Sequence, residues 1–194
     1  MPDVRCQMPD TSRQMPVTSN QLYEQNKIGY IMKKFYSFTI FLLLFLLTTS
    51  AFAKAESFSL RDTDGELVRL DDYLGKGPVV LDFWATWCKP CVKSLPKMQK
   101  LYEKLQDRGL VVLAINEDGP RSLAKVAPFA SSLGLTFPIL LDEDRDVVRQ
   151  YQVSGLPTTI IIDKDQNVVH TMRGYRPGDE KAVEQLLESL LGEE

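Results

Sequence analysis

Cysteine and histidine are scarce in this sequence, with three cysteines and one histidine in 194 residues. So few cysteines exclude a small domain held together by a network of disulfides. The composition is otherwise ordinary, with 44% hydrophobic and 25% charged residues, which excludes a disordered chain. At this length we expect one globular domain with a full hydrophobic core.

The sequence also lacks an apolar run long enough to cross a bilayer. The run from Phe38 to Leu47 has ten residues, whereas a spanning helix needs about 20. Lys33 and Lys34 precede this run and the triplet Ala51-Phe52-Ala53 follows it, which is the order typical of a secretory signal peptide. We therefore predict a signal peptide over residues 32–53, cleaved after Ala53, in preference to a retained membrane anchor.

The polar stretch before Met32 has no place in a signal peptide and contains a near-repeat, residues 7–13 and 14–20. We interpret residues 1–31 as a disordered leader or a mis-assigned start, which leaves residues 54–194 as the domain. That domain has 18 Lys and Arg against 23 Asp and Glu, so its net charge gives no reason to expect nucleic-acid binding. Only two of the cysteines, Cys88 and Cys91, lie within it.

The hydrophobic pattern of this domain alternates between strand and helix. A β-hairpin over Phe58–Leu70 is predicted first, because two alternating segments flank the turn residues 62–65. The later elements are predicted as strand 78–84, a helix after Cys88 kinked at Pro96, strand 109–116, helix 120–133, strand 137–141, helix 144–152, strands 158–163 and 168–173, and a helix from Pro177. This order indicates an α/β fold with a mixed central sheet flanked by helices.

The two cysteines lie in the segment Trp87-Cys88-Lys89-Pro90-Cys91, where the strand 78–84 gives way to a helix. The free amide groups and the dipole at a helix N-terminus favour negative charge, so Cys88 is predicted to be the thiolate nucleophile. Lys89 adds a positive charge, and Pro90 fits the first turn because its missing N–H is not needed there. Both residues are therefore predicted to tune the pKa of Cys88.

A second thiol one turn further on can resolve the mixed disulfide that such a nucleophile forms with a substrate. That role is predicted for Cys91, which we expect to be the more buried sulfur. Resolution requires a proton acceptor in an apolar setting. Asp82, in the otherwise apolar strand six residues before Cys88, is the candidate.

Two other interpretations of the cysteine pair are weaker. A closed zinc site needs four ligands, and the domain offers no further cysteine and only His170, so no metal site is predicted. A static disulfide would close too short a loop to stabilise the fold appreciably. We expect His170 to be a surface residue, and Glu117 and Asp118 to form a solvated acidic loop.

Three motifs together resemble those of thioredoxin-like proteins, specifically the exported TlpA/ResA-like group of thiol-disulfide oxidoreductases. They are the segment Leu81–Cys91, Pro96 five residues after the second cysteine, and the segment Val153–Thr158. The resemblance covers about residues 56–192 and implies a thioredoxin fold with an N-terminal hairpin and an inserted helix-strand unit. It also implies a cis Pro157 beside the cysteines, substrate contacts from Trp87, Leu156 and Pro157, packing of Trp84 near the active site, and no cofactor beyond the Cys88–Cys91 disulfide.

The resemblance further implies an extracytoplasmic reductase of cysteine pairs in exported proteins, and we expect a monomer. Such an enzyme would be re-reduced by a membrane electron donor of the DsbD/CcdA type. Members that reduce apocytochrome c have a glutamate three residues after the second cysteine, and Ser94 stands at that position here. A role in cytochrome c maturation is therefore in doubt.

Two alternative functions stay open at this point. A peroxiredoxin-like peroxidase shares the fold, but it would need a proline and a threonine upstream of a single peroxidatic cysteine, a spacing that Ala85 and Thr86 do not supply. A copper chaperone for oxidase assembly would need an additional histidine or methionine ligand.

Overall fold

A computed structural model describes Lys33, Lys34 and residues 53–192. The chain divides into residues 1–51 and a compact unit from residue 52 onward. Lys33 and Lys34 are helical and exposed, while the rest of the predicted leader and nearly all of the predicted signal peptide lie outside the described residues. Among the helices that are described, none has the length and apolar character needed to traverse a membrane.

The compact unit contains seven strands, four α-helices and two short 3₁₀ turns in its described part. In chain order the regular elements are β1 (Ser59–Asp62), β2 (Leu67–Arg69), β3 (Val79–Trp84), α1 (Lys89–Leu105), β4 (Val111–Asn116), α2 (Leu123–Ser132), β5 (Ile139–Leu141), α3 (Asp146–Gln150), β6 (Thr158–Ile162), β7 (Val168–Arg173) and α4 (Asp179–Leu191). Every predicted element is present, most of them a few residues shorter than predicted.

All seven strands form one mixed sheet in the order β2-β1-β5-β4-β3-β6-β7. The strands β3, β4 and β5 run parallel, whereas β6 is antiparallel to β3 and β7 to β6. The predicted hairpin β1–β2 joins the other edge through an antiparallel pairing of β1 with β5. The predicted α/β fold with a mixed sheet is confirmed, and α2 with β5 is the helix-strand unit between β4 and α3.

The central strand β3 is buried at every position because helices cover both faces of the sheet. On one face Val80 and Trp84 join a cluster with residues from α1, α2 and α4. On the other face Leu81 and Phe83 join a cluster with residues from α3. A strand held on both faces and both edges gives the residues that follow it a fixed starting point.

The helix α1 packs its apolar stripe on the first of these clusters. Its buried apolar residues are Cys91, Leu95, Met98, Leu101 and Leu105, while Val92 at the edge of the stripe is partly exposed. The helix continues through Pro96, whose ring cannot donate a backbone hydrogen bond. The stripe predicted from the 3.6-residue period is therefore the packed face of the helix.

The start of β3 depends on a close backbone approach at Gly77. A Cβ atom placed there would lie 2.4 Å from the carbonyl oxygen of Gly109, a backbone atom that cannot swing aside. We expect Gly77→Ala to lower the free energy of unfolding by about 1–3 kcal/mol. Chemical denaturation measures this, and Gly119→Ala, where a Cβ would meet no atom within 4 Å, is the matched control. Equal stability of the two variants would contradict the packing described here.

Candidate active site

Cys88 occupies the position immediately before α1 and caps its first turn. Its Sγ accepts a hydrogen bond from the backbone N–H of Cys91 at 3.2 Å. Pro90 lies in the first turn, and both Lys89 and Pro90 are exposed. The arrangement places the sulfur of Cys88 against the free amides of a helix N-terminus, which stabilise negative charge there.

Cys88 and Cys91 form a disulfide, with their Cα atoms 5.3 Å apart. Cys88 keeps 4% of its surface exposed, whereas Cys91 is fully buried. The order of exposure is the one that the predicted roles require, although Cys88 is more covered than a freely exposed nucleophile. Beside it, the side chain of Trp87 is 65% exposed.

Asp82 lies in the middle of β3 and points to the same face of the sheet as Val80 and Trp84, the face that α1 and the two cysteines cover. Its side chain is 1% exposed. The Oδ1 atom accepts a hydrogen bond from the hydroxyl of Thr159 at 2.9 Å, while Oδ2 has no hydrogen-bond partner among the described residues. Burial raises the pKa of Asp82 to about 7, against a smaller lowering by Thr159.

The segment before β6 contains the peptide bond Leu156–Pro157, which is cis, as the family resemblance implies. Pro157 is buried, and its carbonyl oxygen accepts a hydrogen bond from Gly174 N–H at 2.7 Å. Leu156 is partly buried and packs against the cluster that contains both cysteines. Two residues after Pro157, Thr159 is the hydrogen-bond partner of Asp82.

The two tryptophans of the motif have different environments. Trp84 is fully buried and stacks on Phe129, with ring centroids 6.2 Å apart and an interplanar angle of 22°. Its Nε1 atom has no hydrogen-bond partner in the described part of the chain. Trp84 is therefore a core residue behind the cysteines, and Trp87 is the tryptophan available to a partner molecule.

The prediction of a solvated acidic loop after β4 is wrong. Both Glu117 and Asp118 are buried at the carboxyl end of β4, which lies beside that of β3, and Thr86 in the connection from β3 to α1 bonds to Asp118. The carboxylate of Asp118 accepts hydrogen bonds from the backbone N–H and the hydroxyl of Thr86 and from the side chain of Asn116. Sequence reasoning missed Thr86 and Asn116, whose only signal was that they lie at neighbouring strand ends.

Glu117 forms an ion pair with Arg145, whose Nη2 lies 3.0 Å from the glutamate Oε2. Burial raises the pKa of Glu117, and the charge of Arg145 acts in the opposite direction. Because the partner guanidinium is half exposed, the pair lies at the border between the buried strand end and solvent. Glu117 and Asp118 are thus both buried acids at the carboxyl ends of the central strands, where the connection to Cys88 also begins.

Two further positions bear on the predictions. His170 is exposed on β7, as predicted. Within residues 33–34 and 53–192, no cluster of three or more His, Cys, Asp or Glu side chains could hold a metal ion.

Ser94 is buried and donates a hydrogen bond to the carbonyl oxygen of Cys91 at 3.1 Å. The hydroxyl of Ser94 is thus bonded within its own helix, at the position where the family resemblance led us to look for a glutamate.

Comparison with known proteins gives one family. The sequence profile of the AhpC/TSA family matches residues 52–171. The thiol-disulfide oxidoreductase ResA of Geobacillus thermodenitrificans is 43% identical over 136 residues, which are 70% of this chain and 75% of that protein.

Solved structures of thiol-disulfide exchange proteins are also similar to this chain. A Chlorobium tepidum protein described as a thiol:disulfide interchange protein DsbE has 35% sequence identity and a TM-score of 0.68, over 73% of this chain and 97% of that one. The exposed lipoprotein thioredoxin of Streptococcus pneumoniae has 32% identity and a TM-score of 0.58, over 69% of this chain and 99% of that one.

The raised pKa of Asp82 predicts a pH dependence of stability in the disulfide form. The carboxyl ionises near pH 3.8 when unfolded and near 7 when folded, so the free energy of unfolding decreases as the pH rises from about 4 to about 7 and then levels off. Asp82→Asn stays neutral, so it should lack this decrease and be more stable than the wild type at pH 8 by up to about 4 kcal/mol. Denaturation at pH 5 and pH 8 measures the difference.

Asp144→Asn, at an exposed position, is the control for that experiment and should follow the wild type. If Asp82→Asn showed the same pH dependence as the wild type, Asp82 would already be ionised in the folded protein across this range.

Proposed function

The chain belongs to the AhpC/TSA family and is a thiol-disulfide oxidoreductase with its cysteine pair at Cys88 and Cys91, and from this premise we propose that it reduces cysteine pairs of exported proteins outside the cytoplasm. The observation that carries the proposal is the position of the pair: a cysteine that caps a helix, with its partner fully buried one turn further on. This is the asymmetry that a nucleophilic and a resolving sulfur need.

The reaction begins from the dithiol form. The Cys88 thiolate attacks one sulfur of a substrate disulfide, so the substrate bond breaks, a mixed disulfide forms and the first substrate thiolate leaves. Cys91 then attacks Cys88 and releases the second substrate thiolate. The substrate gains two electrons, its two thiolates take their protons from solvent, and the enzyme is left with the Cys88–Cys91 disulfide.

Asp82 is proposed as the acceptor of the Cys91 proton in the second step. It points to the face of β3 that α1 and the cysteines cover, and its Oδ2 atom has no other hydrogen-bond partner in the described region. A proton acceptor is most effective when its pKa is close to the working pH, and burial raises the pKa of Asp82 to about 7. The proton would leave for solvent when the substrate dissociates.

The substrate contacts are proposed at Trp87, Leu156 and Pro157. Trp87 offers an exposed aromatic surface directly before Cys88, and Leu156 packs against the cysteine-containing cluster, with the buried Pro157 next to it in the chain. An extended peptide could lie along this segment and present its disulfide to Cys88. Lys89 and Pro90, exposed in the first turn, would favour the thiolate through charge and helix geometry.

The location and the direction of electron flow are also proposals. The signal-peptide pattern of residues 32–53 supports export, as does the similarity to a streptococcal thioredoxin that is an exposed lipoprotein. Reduction is favoured because most of the exported family is reducing, which would require a membrane donor of the DsbD/CcdA type to regenerate the dithiol. We propose a monomer that needs no cofactor and binds no nucleic acid, with cytochrome c maturation a less favoured pathway because of Ser94.

Substitution of the resolving cysteine tests the proposed exchange. In Cys91→Ala the first step proceeds but the second does not, so mixed disulfides should accumulate on Cys88 in cells that produce the protein. Non-reducing electrophoresis and mass spectrometry of the adducts measure this and identify the partners. Cys88→Ala, which keeps the other cysteine, is the matched control and should accumulate none.

This experiment and two separate assays distinguish the alternatives. Absence of adducts on Cys91→Ala would contradict partner exchange through Cys88. Peroxide consumption by Cys91→Ser would revive the peroxidase alternative, and stoichiometric copper retained by the wild type after chelation would favour a copper chaperone.

The direction of electron flow is tested by equilibrium with glutathione. A reductase should have a reduction potential closer to that of thioredoxin, about −270 mV, than to that of the oxidant DsbA, about −120 mV. Thiol trapping after equilibration at defined ratios of glutathione to its disulfide gives the potential. A value close to that of DsbA would assign the protein to oxidation instead.

A further inference from the structure

The buried carboxylate of Asp118 holds the loop that leads from β3 to Cys88. Its Oδ2 accepts from the backbone N–H of Thr86 at 2.7 Å, and its Oδ1 accepts from the Thr86 hydroxyl at 2.8 Å. Asn116 donates its side-chain amide to the same carboxylate at 2.8 Å and accepts from Asp118 N–H at 3.1 Å. Two of the three bonds that compensate the burial of this charge therefore belong to Thr86.

Glu117, the residue before Asp118, bonds to the end of β3, two residues before Thr86. The backbone N–H of Glu117 donates to the carbonyl oxygen of Trp84 at 3.0 Å, so consecutive residues after β4 hold both Trp84 and Thr86. A carboxylate with 1% exposure is costly to bury unless its oxygens are hydrogen-bonded. Moving Thr86 would leave that charge poorly compensated, which favours the observed position of the loop.

This restraint on the loop matters most when the disulfide is reduced. In the disulfide form a covalent bond to Cys91 keeps Cys88 against the first turn of α1. In the dithiol form that bond is broken, and the position of Cys88 depends on the loop before it and on a backbone bond from Cys88 N–H to Ala85 at 3.1 Å. Contact with the helix N-terminus then has to be maintained by the loop.

We propose that Asp118 is a positioning residue, which holds Thr86 so that Cys88 stays at the first turn of α1 in the dithiol form. The inference rests on the proposed function, because it concerns the reactivity of the same sulfur. Asp118 touches neither substrate nor the reacting sulfurs in this role and acts only through the loop. Its loss should therefore appear in the protonation of Cys88.

The test is a double-mutant cycle on the reduced full-length protein. The rate of Cys88 alkylation by iodoacetamide is measured against pH, with peptide mapping to assign the adduct. Thr86→Val keeps the side-chain volume and the charge of Asp118 but removes one bond, while Thr86→Ser keeps the hydroxyl and is the matched control. Thr86→Val is also made in an Asp118→Ala background, where the hydroxyl has no carboxylate to bind.

We expect Thr86→Val to raise the pH midpoint of alkylation by about half a unit, the size of a weakened interaction with a helix N-terminus. Thr86→Ser should leave the midpoint unchanged, and Thr86→Val should cause no further change when Asp118 is already alanine. The cycle cancels the direct effect of removing the Asp118 charge. A general loss of stability would not produce this pattern, and thermal unfolding of each variant is measured alongside.

Equal midpoints for Thr86→Val and Thr86→Ser would overturn the inference, as would the same shift of Thr86→Val in both backgrounds. If Asp118→Ala does not fold, the comparison of valine with serine at position 86 decides alone. Failure of the proposed function would look different, because wild-type Cys88 would then react no more readily than an ordinary cysteine.

Discussion

The strand β3 is buried on both faces and hydrogen-bonded to β4 and β6, so its carboxyl end is fixed relative to the sheet. Four residues separate that end from the first residue of α1, and the last of them is Cys88. A connection this short brings the sulfur to the helix N-terminus, and its hydrogen bonds from Thr86 to Asp118 restrain it further. The chemistry proposed for the protein depends on this constraint, because the helix amides stabilise the thiolate and the helix places the fully buried Cys91 one turn behind it.

The same strand carries a buried carboxyl group, that of Asp82, which is unfavourable in the core when it is ionised. Asp82 lies among apolar residues with one carboxylate oxygen bonded to Thr159 and the other without a partner in the described residues. An acid in such a site stays protonated to a higher pH, which costs stability when it ionises but provides a proton acceptor beside a buried thiol. Asp118 is equally buried, and its carboxylate has three hydrogen-bond donors around it. Two aspartates with similar burial thus differ in how fully their carboxylate oxygens are hydrogen-bonded.

Periodicity in the sequence predicted most of the fold. The apolar run of β3, the stripe of α1 and the turn between β1 and β2 are local patterns, and each appears in the structure as predicted. The position of the two cysteines at the start of a helix also followed from these local patterns. The cis bond at Pro157, by contrast, was expected only from the family resemblance. What local patterns could not give was the partner of each polar group: Asp82 binds Thr159, 77 positions away, and Asp118 binds Thr86, 32 positions away. The error at Glu117 and Asp118 has this cause, because acidic residues after a strand look solvated until the neighbouring strand and its loop are in place.

The most direct test of this account is the protonation of the two sulfurs in the reduced protein. Cysteine labelled with ¹³C at Cβ reports each thiol separately in an NMR titration. The account predicts that Cys88 loses its proton well below the value of about 8.5 for a free cysteine and that Cys91 loses its proton above it. If both sulfurs titrated above that value, or if Cys91 ionised first, the helix N-terminus would not be activating Cys88 and the proposed reaction would be wrong.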